Sequence, residues 1–174
     1  ACRSNFSFLT GASHPEELVA RAKALRYAAL ALADECSLGG VVRAHAEAKR
    51  LGLPLIVGAT MQLAPRTDVP AAAPGPRLVL LAQSRRGYGN LSQWITVARR
   101  RAPKGQYQAL MADLEGKVPN TPTLAGLPDC LALLMTAAVL PPPGADAAAT
   151  AAAADPFETL FAHAVWLQTW FGAA

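Results

Sequence analysis

Two adjacent carboxylates, Asp34 and Glu35, are the residues of this chain best placed to do chemistry. They follow a short apolar run, Ala28 to Ala33, and so stand where a strand buried on both faces would end. In α/β folds, function gathers at the carboxyl ends of strands. Two oxygen ligands there can hold a hard cation. The same pair can instead cap the next helix, and with no further ligand in sight capping is the simpler reading. The histidines, His14, His45 and His163, form no pair at ligand spacing, so each reads as a structural or surface residue. Arg99, Arg100 and Arg101 could meet phosphates. Positive charge also suits the carboxyl end of a helix dipole, which gives the run a purely solvated alternative. No phosphate loop, GxGxxG or GxSxG is present. Gly87-Tyr88-Gly89-Asn90 lacks the lysine of a phosphate loop and reads as a helix start that packs a tyrosine.

The elements that must position these residues begin with a strand–helix–strand unit over Ala28 to Thr60. Ser37 can cap a helix from Leu38 to Leu51, with Leu38, Val41, Val42, His45 and Ala46 at helical spacing and Gly52 at a left-handed end. Pro54 then admits the apolar run Leu55-Ile56-Val57. Two buried strands joined by a helix should be parallel, with a right-handed crossover. Before this unit, residues 1–12 read as a strand end and turn. Ser13-His14-Pro15-Glu16-Glu17 reads as a capped helix start, with Leu18, Val19, Ala22 and Leu25 as its buried stripe. The order β, α, β, α, β implies a parallel layer or barrel.

After the unit, residues 64–76 are a loop rich in proline and alanine. Leu78 to Ala82 is a further strand, and Ser84 caps a helix that ends in the arginine run. Asp129 to Met135 is the last expected strand, and 136–154 is an insertion of low complexity. Asp155-Pro156 opens a final helix with Phe157, Leu160, Phe161, Ala164, Val165 and Leu167 on one broad face, and Trp166 and Trp170 beside them in core or interface packing.

With 174 residues, 52% of them hydrophobic and 16% charged, the chain fits one domain with a buried core and is not disordered as a whole. The net charge of +4 permits contact with nucleic acid without demanding it. Cys2, Cys36 and Cys130 are widely spaced and odd in number, which favours free thiols in a reducing compartment. No apolar segment approaches the roughly 18–20 residues of a membrane span. The ends of the chain read as those of a fragment or trimmed piece.

Ser4 to Ala59, SNFSFLTGASHPEELVARAKALRYAALALADECSLGGVVRAHAEAKRLGLPLIVGA, resembles the start of a polymerase and histidinol phosphatase (PHP) domain. Leu78 to Arg101, LVLLAQSRRGYGNLSQWITVARRR, resembles a later segment of the same domain. The combination is similar to bacterial C-family DNA polymerases, and its wording to their error-prone, damage-inducible members. The resemblance implies an α/β fold: part of a distorted (β/α)7 PHP-type barrel with parallel strands, spanning residues 1–174 and interrupted by 64–76 and 136–154. It implies a cytoplasmic protein used in DNA-damage-induced translesion synthesis, replication and repair. Its partners would be the remainder of the polymerase chain, DNA through that polymerase, and replication or mutagenesis accessory proteins, with no membrane.

In the family, such barrels can hold up to three metal ions, which activate water and neutralise phosphate. Here the first motif, His-x-His, falls on Ala1-Cys2-Arg3, the third-strand glutamate on Thr60, and a further histidine on Arg77. Asp34 keeps its aspartate and Glu35 takes a position that is often histidine, so these two are what would remain of the metal site. The later ligands would lie beyond Ala174. The expectation is a structural scaffold with no firmly bound cofactor and no catalysis of its own. One competing expectation is a phosphoesterase holding manganese, zinc or magnesium through Asp34, Glu35 and Cys2. The other is a nucleic-acid-binding module using Arg85, Arg86, Arg99, Arg100 and Arg101, which lacks the interleaved exposed aromatics of such modules.

Overall fold

The computed structural model describes residues 1–64, 75–117, 124–135 and 156–172. Apart from residues 64, 75 and 76, the two expected insertions, 64–76 and 136–154, lie outside the described residues. Helix α1 (Pro15–Ala24) precedes strand β1 (Leu30–Glu35), helix α2 (Val41–Leu51) and strand β2 (Leu55–Gln62). Then come β3 (Arg77–Ala82), α3 (Arg85–Arg100), the short α4 (Met111–Leu114), β4 (Cys130–Leu134) and α5 (Pro156–Phe171).

The expected strand–helix–strand unit is present. β1 and β2 run parallel, from Leu30 opposite Leu55 to Glu35 opposite Thr60. The expectation of an all-parallel sheet is corrected: β3 is antiparallel to β2, and β4 to β3, in one sheet of order β1-β2-β3-β4. The reason lies in where the chain returns. β2 ends at Gln62 directly opposite Arg77, and the Leu63 N–H continues the ladder to the Pro76 carbonyl at 3.0 Å. A chain that re-enters at the end it left runs antiparallel, whereas a parallel neighbour needs a crossover to the other end. β4 likewise starts at Cys130, opposite the last residue of β3, so α3 does not carry the chain across. The expected first strand is reduced to a bridge. Cys2 lies parallel to Leu32, with its N–H on the Ala31 carbonyl at 2.7 Å and its carbonyl on the Ala33 N–H at 2.8 Å.

Alternation along the strands gives the sheet two different faces. On one, Ala59, Met61, Leu78 and Leu80 meet Leu91, Trp94, Ile95 and Ala98 of α3 in the larger apolar cluster. On the same face, Leu30 and Leu32 meet Val19 and Ala22 of α1 and Ala44 and Ala48 of α2. Each fully buried leucine or valine contributes about 1.5–3 kcal/mol. The other face carries Glu35, Thr60, Gln62 and Arg77 at one end, and the half-exposed Ile56, Leu131 and Leu133 elsewhere.

Local details depart from the sequence expectations in instructive ways. α1 is capped at His14, not Ser13, and the Glu17 carboxylate accepts from the His14 N–H at 2.8 Å. α2 begins at Val41 rather than Leu38. Ser37 turns back on the Gly39 N–H at 3.1 Å, and the cap position is Gly40. The buried stripe of α2 is Ala44 and Ala48, while Val42 and His45 face outward. Small residues are needed there because α1 packs directly across α2. Gly52 takes the expected left-handed conformation, φ 63°. Ser84 caps α3 as expected, accepting from the Gly87 N–H at 3.1 Å, but Tyr88 is exposed rather than packed. On α5, Trp166, Leu167 and Phe171 pack on the larger cluster, whereas Phe157, Phe161 and Val165 are exposed. No described helix is long and apolar enough to cross a membrane.

Candidate functional site

Asp34 and Glu35 end β1, and an extended strand sends consecutive side chains to opposite faces. Their partners differ accordingly. Asp34 is buried and organises the N-terminal loop. Its Oδ1 accepts from the Ser4 N–H and the Ser7 hydroxyl, both at 2.7 Å, and its Oδ2 from the Ser4 hydroxyl at 2.8 Å. Ser7 Oγ in turn accepts from the Glu35 N–H at 2.9 Å, which ties the loop to the strand end. A side chain on Gly40 would place its Cβ 2.9 Å from Asp34 Oδ2, so the turn into α2 must pass here without one. Neither carboxylate caps α2, whose cap position is Gly40, and the capping expectation is corrected.

Glu35 sits on the open face among cations. Oε2 accepts from Arg77, and the Arg3 guanidinium stands 3.7 Å from the same oxygen. Oε1 accepts from the Tyr107 hydroxyl. Tyr107 also accepts from the Gln62 N–H at 2.8 Å, so one phenol joins the segment after α3 to the ends of two strands. Burial and the Glu35 carboxylate push the Tyr107 pKa far up, which keeps it a neutral donor. Thr60 does not face an open site as a ligand would, because its hydroxyl donates to the Ala33 carbonyl at 2.9 Å. Cys36, next in the chain, is buried, and its thiol is pushed up to about 11 chiefly by that burial. Cys2 is half-buried beside Leu32. Among the described residues, no group of three or more His, Cys, Asp or Glu side chains is arranged to hold a metal ion.

The arginine run is divided among different tasks. Arg99 Nε donates to the Cys36 carbonyl at 2.8 Å and so links α3 to the end of β1. Arg101 is folded inward onto buried Asp113 at 2.7 and 3.0 Å, and onto the Gln108 carbonyl at 3.0 Å. Arg100 is exposed, as are Arg85 and Arg86 at the start of α3. Residues 99–101 are all exposed, while Arg99 and Arg101 also hold oxygens of the fold. His14 and His45 are exposed and His163 is half-buried, and they lie on three different helices or their caps.

Residue-type reasoning missed Tyr107, which lies 72 positions from Glu35 and carries no local motif. It also missed the Trp94–Asp113–Arg101 cluster. Its one sequence signal, an acid following a basic helix end, is too common to single out.

Residues 1–163 match the PHP domain family. The chain belongs to the PHP family. An error-prone DNA polymerase of Bordetella parapertussis is 57% identical to this PHP chain over 143 residues, 82% of the chain and 13% of the relative. One of Ralstonia pickettii is 47% identical over 171 residues, 98% of the chain and 14% of the relative. The PHP chain thus spans about an eighth to a seventh of the length of these relatives. A solved amidohydrolase of Chromobacterium violaceum aligns with 56% of the chain and 31% of its own, at 28% identity and a TM-score of 0.44.

Proposed function

We propose that this PHP chain is the N-terminal portion of an error-prone DNA polymerase and serves it as a structural scaffold. The parent enzyme acts in DNA-damage-induced translesion synthesis and so in replication and repair, in the cytoplasm. The partners of the chain are the rest of the polymerase, DNA through that polymerase, and accessory proteins of replication or mutagenesis. Residues 1–174 act as one PHP domain with insertions at 64–76 and 136–154, and the open sheet is part of a distorted (β/α)7 barrel. Kinship with error-prone polymerases over most of the chain supports the parentage.

The observation that carries the scaffold reading is the engagement of Glu35. A metal ligand must offer lone pairs to the cation, and each oxygen of Glu35 already gives one to a hydrogen bond, from Arg77 and from Tyr107, so a cation would have to compete with both donors. A guanidinium on either side also repels a divalent ion. Asp34, the other candidate ligand, faces away and is filled by serine donors. These residues do not fit a divalent metal, and no hydrolytic step is assigned to them. What they do fit is mechanical: three distant segments are tied to the ends of the sheet. The deciding experiment measures metal content and phosphodiesterase activity on one purified preparation supplied with manganese and zinc. Sub-stoichiometric metal and no turnover are expected. Stoichiometric metal, with turnover abolished by Asp34→Asn, would replace the scaffold with a hydrolase.

A further inference from the structure

The outward face of α3 gathers features that cost the helix stability and that the described fold does not offset. From Gln83 to Ala112 the sequence holds Arg85, Arg86, Arg99, Arg100, Arg101 and Lys104 but no aspartate or glutamate. Arg85 and Arg86 are the first two residues of α3, where positive charge opposes the helix dipole. Asp129, the acid at this end, accepts from the Ser84 hydroxyl at 2.8 Å, and among the described residues neither arginine has an ion-pair partner. Arg100, in the last turn, is likewise exposed and without one among the described residues. Gly89 lies between them. Glycine in a helix interior is destabilising relative to alanine, and it is kept where a neighbour comes too close for a side chain. Gly87 shows that reason, since its Cβ would fall 2.0 Å from the Asp129 carbonyl oxygen. A Cβ on Gly89 would meet no described atom within 4 Å. At helical spacing Arg85, Arg86, Gly89, Thr96 and Arg100 share one stripe, and all are exposed. Leu91, Trp94, Ile95 and Ala98 take the opposite side, against the sheet. Arg86 and Arg100 stand about 21 Å apart along the axis, at about 1.5 Å per residue.

We propose that this stripe lies along the phosphate backbone of a nucleic-acid duplex. A small anion needs converging donors, whereas guanidinium groups spread over about 21 Å suit a polymer of charges. That separation is more than half of the roughly 34 Å turn of a duplex, so both ends of α3 reach phosphates of one segment. Gly89 gives the backbone room to approach between them. The contact is with backbone rather than with stacked bases, because Trp94 is fully buried and leaves Tyr88 as the exposed aromatic of α3. The stripe faces away from the sheet and uses neither Asp34 nor Glu35. It goes beyond the scaffold reading, in which DNA is met through the rest of the polymerase, and does not depend on it.

The test follows the fluorescence anisotropy of a labelled DNA duplex of about two turns, roughly 20 base pairs, titrated with the intact chain in EDTA at several salt concentrations. Binding should fall in the range of about 10⁻⁴ to 10⁻⁶ M, with a logarithmic salt slope of about −0.9 for each phosphate held. Arg86→Gln with Arg100→Gln should weaken it about tenfold or more and take about 2 off the magnitude of that slope. Arg21→Gln with Lys49→Gln removes the same charge from α1 and α2 and should leave the slope as it is. Gly89→Gln keeps every charge and supplies a better helix former, so its melting temperature should rise while its affinity falls several-fold. Circular dichroism checks each fold. No duplex binding, equal losses in the two double variants, or unchanged affinity of Gly89→Gln each overturns the proposal. So does tighter binding of a single strand of the same length, which would mean stacking on bases. Polyglutamate bound as tightly as the duplex, with the same dependence on Arg86 and Arg100, would make the partner an acidic protein segment and overturn it too.

Discussion

Replacing Asp113 by alanine should cost about 3–4 kcal/mol of folding stability, although the residue touches neither Asp34 nor Glu35. Asp113 is 1% exposed. Its carboxylate accepts from Trp94 Nε1 at 2.9 Å, the Leu110 N–H at 3.0 Å, and Arg101 at 2.7 and 3.0 Å. Trp94 is fully buried, so its indole N–H would lose its acceptor where water does not reach, which costs about 1–3 kcal/mol. The Leu110 N–H would lose its cap at the start of α4, about 1 kcal/mol. Arg101 is about a quarter exposed and keeps the Gln108 carbonyl, so its share is discounted to about 0–1 kcal/mol. Asp113→Asn keeps one acceptor and should lose about half as much. Arg101→Ala leaves the carboxylate buried without its cation and should be comparably harmful. Urea unfolding followed by circular dichroism measures all three, with an unchanged slope against denaturant required for the comparison. A loss below about 1 kcal/mol for Asp113→Ala would refute the reasoning, because the burial and the indole bond could not then both be as described.

Leu32→Asp places a charge at a position 1% exposed in the centre of β1, and the far-ultraviolet dichroism of the folded chain should be lost. A cooperative melt like that of the wild type would contradict the burial. Cys36 and Cys130 are each raised from 9.0 to about 11, first by burial, so the folded chain holds these thiol protons more tightly than the unfolded one. Their contribution should be whole below about pH 9 and be lost as the pH rises towards 11, as seen in urea midpoints taken across that range. In the native state a thiol reagent should modify half-buried Cys2 well before the other two. Burial lowers the His163 pKa below 6.5, so the unfolded chain binds this proton more readily. Stability should fall as the pH drops below 6.5, and His163→Gln should flatten that part of the profile.

The local devices were written in the chain. Ser84 as a cap, Gly52 at a left-handed end, and the parallel pair either side of α2 follow from residue type and spacing, because each depends on neighbours within a few positions. The family, too, was legible, carried by Ser4 to Ala59 and Leu78 to Arg101. The antiparallel turn of β3 was not, since strand direction is set by where the chain re-enters the sheet and not by the apolar run of the strand itself. The outward face of Val42 and the inward face of Ala44 depended on how closely α1 approaches α2.

The candidate site divides in the same way. The sequence by itself determined that carboxylates stand at the end of β1 and arginines at positions 3 and 77. Only the tertiary structure decided that Asp34 serves the serine loop while Glu35 gathers Arg77, Arg3 and Tyr107. The physical reason is reach: alternation along a strand separates adjacent residues, and sheet register with chain return brings together residues as far apart as Glu35 and Tyr107.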